Sequence, residues 1–459
     1  MIEPCDVVGV GFGPANLALA IAIEEAPIAT AARFLEAQAD PLWQGGMLLA
    51  GSNIQNHPCR DLVSLRNPRS RYSFINYLFE HGRLIDHLNL PMEFPLRKEY
   101  AAYIRWVTRQ FAHLADFGAR VSHIGIEKSH GEQVYVVRTA DGSVTAARAM
   151  VLGCGRTPLI PPPFDAVGSP AVVHLTGYLP AVTSLAKPPR AVAVIGGSQS
   201  AVELTLDLTR RFPEARVINY LRAFGPRLKD TSPFSEEGFF PDFTEYYFKA
   251  SRASKRVLDA AMRPTNYSSV DADVLHELYV EVYEQRLDGK QRIYVRGNRQ
   301  VESVAVNERG VALGVRELHT GVAERDEVDL VVLATGFRDL GPADNQEPYP
   351  PLLSGVIDRF QFDGDGYLVV NSDYSLQPIQ DGTPPLFLNG LCESTHGIGD
   401  AGSFSLLSLR AETIRNGLRK RLGTDVAANR RPPYAVAGRH WDGPRQPLRQ
   451  KIMHNGGAQ

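Results

Sequence analysis

Gly9, Gly11 and Gly13 stand in Gly9-Val-Gly11-Phe-Gly13-Pro14-Ala-Asn16, between the β-branched run Asp6 to Val10 and the apolar stretch Leu17 to Ile23. Glycines at this spacing allow a tight turn whose backbone approaches a pyrophosphate, and the amides of the following helix face the same anion. Pro14 takes the place of the third glycine of the plain fingerprint and suits the first turn of a helix, where no N–H is needed. Glu36 ends the next strand-like run, Ala32 to Glu36, where a carboxylate binds the ribose hydroxyls of an adenosine. Strand, glycine turn, helix and strand in that order open a dinucleotide-binding βαβ unit.

The same grammar returns at Ala191 to Ile195, followed by Gly196-Gly-Ser198-Gln199-Ser200-Ala201 and a helical pattern with Ala201, Leu204, Thr205 and Leu208 on one face. Ser198 occupies the middle glycine position, and its hydroxyl is suited to a phosphate. Arg222 closes the next strand-like run, Arg216 to Arg222, where domains specific for NAD often carry an acid; a guanidinium there suits a 2′-phosphate. Two further runs, Ala149 to Leu152 before Gly153-Cys-Gly155 and Val328 to Leu333 before Ala334-Thr335-Gly336-Phe337, read as the returns of each half to its nucleotide domain. Two nucleotide folds with this return imply FAD at the first site and NADPH at the second.

The elements that must position these residues point to an α/β fold: two Rossmann-like dinucleotide-binding domains, for FAD and NADPH, with a smaller interposed substrate-binding region. The expected divisions are an FAD domain over 1–180, an NADPH domain over 181–340 interrupted at about 225–325, and a return to the FAD and substrate domain over 341–423. Pro226, Pro233, Pro241 and Pro264 break the interposed stretch, and a Pro-, Arg- and Gly-rich tail, 424–459, is expected to be mobile. The chain of 459 residues has a formal charge of −2, which argues against a general nucleic-acid or anionic-membrane binder, and 44% hydrophobic with 22% charged residues marks a globular protein. Cys5, Cys59, Cys154 and Cys392 lie too far apart for a CxxC pair, and no apolar run reaches membrane-spanning length. Glu3 and Asp6 stand where a signal peptide would be basic, so the expected location is the cytoplasm. His57, His174 and His396 have no second ligand at a metal-like spacing and are read as structural, with no metal expected.

The sequence resembles the flavin-dependent N-hydroxylating monooxygenases, the ornithine and lysine N-monooxygenases of siderophore biosynthesis. The segments that carry the resemblance are Gly9 to Ala20, Trp43-Gln-Gly-Gly-Met47, Asp61 to Ser70, Tyr72 to Leu78, Gly196 to Glu203, Asp230-Thr-Ser-Pro-Phe234, Thr265-Asn-Tyr-Ser268, Ala334-Thr-Gly-Phe337 and Thr395-His-Gly397, in family order. The resemblance implies that NADPH reduces FAD, that the reduced flavin takes up O2, and that the resulting C4a-hydroperoxyflavin gives an oxygen to a primary amine while NADP stays bound. It makes Gln55 a flavin neighbour shielding the C4a region, Asn266 a contact to substrate and nicotinamide ribose, and Ser405 a contact near the reacting amine. Trp43, Met47, Thr335 and Gly336 fall in cofactor-binding segments, and a homo-oligomer, dimer or tetramer, is implied.

Three departures cluster where the family faces its substrate. Arg60 stands for a lysine that holds the substrate carboxylate, Glu236 stands for an asparagine, and the loop His396-Gly-Ile-Gly-Asp400-Ala-Gly-Ser403-Phe-Ser405 is one residue longer. A guanidinium keeps the charge with a different reach, whereas a carboxylate repels a substrate carboxylate and attracts an amine. Ornithine or lysine fits this chemistry, and so does a changed amine: aspartate, diaminobutyrate, or a diamine such as putrescine or cadaverine. Whatever the amine, its lone pair must be free, which desolvation of the nitrogen favours. Among rival readings, a ketone or sulfur oxygenase lacks the FxGxxxHxxxW fingerprint, a disulfide reductase lacks its cysteine pair, and a non-catalytic nucleotide-binding regulator has no use for the segments from 43 to 78.

Overall fold

The computed structural model describes residues 3–27 and 30–423; the tail over 424–459 lies outside the described residues. Among them the strands fall into three sheets. The first contains β1 (Cys5–Val10), β2 (Ala32–Glu36), β3 (Ala115–Phe117), β4 (Val121–Ser129), β5 (Glu132–Thr139) and β6 (Val144–Leu152), in the order β3-β2-β1-β6-β5-β4, with the late strand Leu386–Leu388 beside β6. β1 runs parallel to both β2 and β6, with Gly9 opposite Phe34 on one side and Val151 on the other. The connections therefore diverge from β1, and the crevice beyond its carboxyl end is the place where such sheets bind ligands.

The helix Pro14–Glu24 follows directly. Its residues Asn16 to Ile23 are all buried, because one face lies on the sheet and the other packs against the helix Leu407–Leu422. A helix apolar nearly all round is what an element covered on both sides requires.

The second sheet is built from β7 (Val172–His174), β8 (Ala191–Ile195), β9 (Arg216–Tyr220) and β10 (Ile293–Arg296). A separate antiparallel sheet, β11 (Arg299–Asn307), β12 (Gly310–Glu317) and β13 (Ala323–Val328), precedes β14 (Leu330–Leu333), which returns to give the parallel order β10-β9-β8-β14-β7. The run Val328 to Leu333 is thus two strands. Asp329 divides them, its carboxylate accepting from the backbone N–H groups of Arg190 and Ala191.

Apart from β11, β12 and the start of β13, which form their own sheet, the stretch 225–325 is divided among three neighbours. Phe239, Phe243 and Tyr247 pack with Ile398 of the late loop; the helix Ala272–Leu287 packs through Leu278 and Val282 on Val202 and Leu206; and β10 pairs with β9. Its prolines break it into pieces, and each piece buries its apolar face where one is available. No described helix is long and apolar enough to cross a membrane.

Candidate active site

At the first glycine turn, Gly11 has φ +84°, and a β-carbon there would lie 2.6 Å from the Gly153 carbonyl oxygen at the end of β6. Gly13, the N-cap of the Pro14–Glu24 helix, has open space where a β-carbon would stand. No acidic residue occupies the first turn of that helix, so its amides face a site that favours an anion. Glu36 is buried, and its two oxygens accept from the N–H groups of Phe12 at 2.8 Å and Gln38 at 2.9 Å. A carboxylate has about four lone-pair sites, so these bonds orient Glu36 and leave acceptor capacity for ribose hydroxyls. The residues present fit FAD.

A buried network missed in the sequence supports this turn. Asn16 Nδ2 donates to the carbonyls of Val10 and Gly11 at 3.2 and 2.8 Å, and its Oδ1 accepts from Asn389 at 3.0 Å. Arg410 Nε donates to Asn389 Oδ1 at 2.9 Å and its Nη1 pairs with Asp400 Oδ1 at 2.8 Å, while Asp400 Oδ2 accepts from the Cys392 N–H at 2.6 Å. Each donor finds an acceptor, as burial of such groups requires. Asn16 and Asn389 lie 373 residues apart, so no local spacing reveals their link.

The second turn repeats the plan. Gly196 abuts the Ala334 carbonyl, and Ser198 caps the Gln199–Arg211 helix without a side-chain capping bond, leaving its hydroxyl for a phosphate. The Ser200 and Ala201 amides belong to the first turn of that helix, which also lacks an acid. Gly336 has φ +80°, and its carbonyl accepts from His174 Nε2 at 2.9 Å; the Thr335 hydroxyl donates to the Leu159 carbonyl. Strand β9 ends at Tyr220, so Arg222 lies two residues beyond it, exposed and without an ion pair among the described residues. This arrangement fits NADPH. The two halves are joined by the buried pair Arg97–Glu203, bidentate at 3.0 and 3.1 Å, with Arg97 also donating to the Met47 carbonyl at 2.9 Å.

Trp43, Tyr100 and Phe404 form an aromatic cluster with ring centroids 5.1 to 5.9 Å apart, and the Tyr100 hydroxyl donates to the Arg60 carbonyl at 3.0 Å. Beside it Arg60 Nη1 lies 3.0 Å from Glu236 Oε2, with the guanidinium 4.9 Å from the centroid of Phe240. Asp61, fully buried, holds the Arg60 loop by accepting from the N–H groups of Val63, Ser64 and Phe74 and from the Ser64 hydroxyl.

The long glycine-bearing loop passes close to Asn266: a β-carbon at Gly402 would stand 2.7 Å from Asn266 Nδ2 and 3.2 Å from the Tyr267 hydroxyl. Ser405 is fully buried and its hydroxyl meets that of Ser403 at 2.8 Å, Ser403 being the more exposed of the two. Gln55, in a left-handed conformation at φ +55°, donates from Nε2 to Asp271 Oδ2. Asn266, Ser405 and Gln55 thus come from three separate loops.

Next to Asn266 the Tyr267 hydroxyl donates to Glu393 at 2.6 Å, and Arg156 Nη1 lies 3.5 Å from Glu393 and 2.9 Å from Asp339. Burial, and then the neighbouring Asp339 charge, pushes the Glu393 carboxyl up to about 8 against the opposing pull of Arg156. Lys255, donating to the Thr395 carbonyl at 3.2 Å, is lowered to about 8 by burial. His396, stacked on Tyr374 with centroids 4.1 Å apart, is lowered to about 4 by burial and stays neutral near pH 7.

Two sheets, each with parallel strands around a glycine turn that fits a dinucleotide, define a flavoprotein with two nucleotide sites. Residues 3–339 match the L-lysine 6-monooxygenase/L-ornithine 5-monooxygenase family, and the chain belongs to it. It is 36% identical to an L-ornithine N(5)-monooxygenase of Pseudomonas aeruginosa over 94% of this chain and 97% of that one. With its counterpart from Burkholderia cepacia the identity is 34%, over 96% and 98%. Among solved structures, the reduced ornithine hydroxylase of Pseudomonas aeruginosa superposes with a TM-score of 0.84 at 34% identity, covering 92% of this chain and all of that one. The Kutzneria ornithine N-hydroxylase, solved with reduced FAD, NADP+ and L-ornithine, gives 0.84 at 30% identity, covering 91% and 100%. The cofactors are FAD and NADPH, with O2 as co-substrate, and the reaction is hydroxylation of an amine nitrogen.

Proposed function

We propose that this enzyme hydroxylates the side-chain amino nitrogen of a small α-amino acid of the ornithine type. FAD is held on the first sheet and NADPH on the second, which already begins with β7 (Val172–His174), ahead of the division expected at residue 180, and the chain works as a cytoplasmic dimer or tetramer. The observation that carries the substrate reading is the Arg60–Glu236 pair: a guanidinium and a carboxylate side by side, part-exposed, beside the aromatic cluster. A zwitterionic head group offers both complements at once, its carboxylate to Arg60 and its α-ammonium to Glu236, so two charge-assisted contacts replace one. When bound, the reduced flavin supplies the oxygen transfer.

The protein supplies orientation and dryness. Arg60 and Glu236 fix the head group, Phe240 and the Trp43, Tyr100 and Phe404 rings exclude water, and Asn266 receives the distal end beside the Ser403–Ser405 hydroxyls. Desolvation there lowers the proton affinity of the amine, so that its lone pair is free. Gln55 serves the flavin side and Ser198, Gln199, Ser200 and Arg222 the NADPH side, whereas the side chain of Met47, expected in a cofactor-binding segment, is buried in the core of the second sheet with Val192 and Leu204.

The closed ion pair favours a second reading, in which Arg60 and Glu236 stay paired and a carboxylate-free diamine is the substrate. A panel of ornithine, lysine, diaminobutyrate, aspartate, putrescine and cadaverine, scored for hydroxylamine product, separates the two. Product from ornithine well above that from putrescine supports the amino-acid reading, and the reverse order supports the diamine.

A further inference from the structure

Asp271 occupies the N-cap of the Ala272–Leu287 helix, a position where aspartate ordinarily accepts from a helical amide of the first turn, and it makes no such bond. The side chain, buried, is directed elsewhere. Its Oδ2 accepts from Gln55 Nε2, and its Oδ1 lies 3.5 Å from Lys229 Nζ. The Asp271 backbone N–H donates to Gln199 Oε1 at 2.9 Å, and the Gln199 N–H donates to the Ser269 carbonyl at 2.9 Å. Gln199 is the first residue of the helix that follows the second glycine turn. One residue therefore touches both the loop that carries Gln55 and the turn assigned to NADP.

Gln55 is itself held out of the ordinary range. Its φ of +55° is unfavourable for a residue with a side chain, and its backbone N–H is tied to Asn53 Oδ1 at 2.9 Å. With Nε2 donating to Asp271 Oδ2, the Gln55 amide is fixed with its nitrogen toward Asp271 and its oxygen on the opposite side.

We propose that Asp271 is a positioning residue that orients Gln55 toward the flavin and couples that orientation to occupancy of the NADP turn through Gln199. This rests on the reading of Gln55 as a flavin neighbour and of the 196–200 turn as the NADP site. Ligation at the turn and the state of Gln55 are then linked, and by reciprocity a loss at one end weakens the other by the same factor.

The test is titration of the full-length, flavin-loaded protein with NADP+, reading the flavin difference absorption spectrum and, by calorimetry, the Kd. Asp271→Ser keeps an N-cap residue too short to reach Gln55, whereas Asp271→Asn keeps an acceptor and removes the charge opposite Lys229. Asp271→Ser should lose most of the NADP+-induced spectral change and bind NADP+ about tenfold more weakly, within the usual range of such couplings. Asp271→Asn should retain the spectral change, Gln55→Ala should reproduce the serine variant, and the double variant should be no worse than either. A full difference spectrum with unchanged Kd in Asp271→Ser overturns the proposal, and equal losses in the serine and asparagine variants overturn it by placing the effect in the Lys229 pair. If Gln55→Ala leaves the flavin spectrum unaltered, the placement of Gln55 fails and the coupling with it, whereas hydroxylamine formation from an amine is scored separately.

Discussion

Arg60 Nη1 and Glu236 Oε2 stand 3.0 Å apart across 176 residues of sequence, one side chain from the loop fixed by Asp61 and the other from the short helix Pro233–Glu236. Neither is fully exposed, at 19% and 26% of the side chain, so the pair is more than a screened surface contact and still open to a ligand. Arg60→Ala should raise the KM for ornithine and lower kcat/KM by roughly ten- to a hundredfold, the range of one lost charged hydrogen bond. The rate of flavin reduction by NADPH, followed by stopped flow, should change little. A collapse of flavin reduction would move Arg60 out of the substrate site.

Replacing Gly11 tests the first nucleotide site. Gly11→Val puts a branched β-carbon where the Gly153 carbonyl already stands, at a backbone angle that valine resists. The purified variant should lack the flavin absorbance bands. A fully yellow protein would show that the pyrophosphate binds elsewhere.

Arg222, exposed and unpaired among the described residues, is free to meet a 2′-phosphate. Arg222→Ala should raise the KM for NADPH about ten- to a hundredfold and leave that for NADH nearly unchanged. Equal losses with both would assign the 2′-phosphate to another cation.

How much of this was open to sequence reasoning follows the range of the interaction. Both glycine turns, the strands around them and Glu36 obey local spacing rules, and the structure places them accordingly. Arg60 and Glu236 were visible as departures from a pattern, but their pairing was not, because it depends on how a broken, proline-rich stretch folds back. The network from Asn16 through Asn389 and Arg410 to Asp400, and the cluster of Arg156, Tyr267 and Glu393, join side chains with no periodic relation. The division of residues 225–325 was hidden for the same reason: β10 is four residues long, and only its pairing with β9 reveals its sheet.

Glu393 gives a pH signature. Its carboxyl, raised from the ordinary 4.5 to about 8, binds a proton more tightly in the folded chain than in the unfolded one. Its contribution to stability is therefore complete below the unfolded value and is lost as pH rises through the folded one. Glu393→Gln, neutral at every pH, should remove that slope, so its Tm should gain on the wild type as pH goes from about 5 to about 8. Parallel Tm curves across that window would mean that Glu393 titrates normally.

This chain places an oxygen atom on an amine nitrogen. The most direct test incubates the purified flavoprotein with NADPH, L-ornithine and isotope-labelled O2, and reads the product by mass spectrometry. One labelled oxygen should appear on the side-chain nitrogen, in near-equal amount to the NADPH consumed. NADPH oxidation matched by hydrogen peroxide, with ornithine and every other amine of the panel recovered unlabelled, would contradict it.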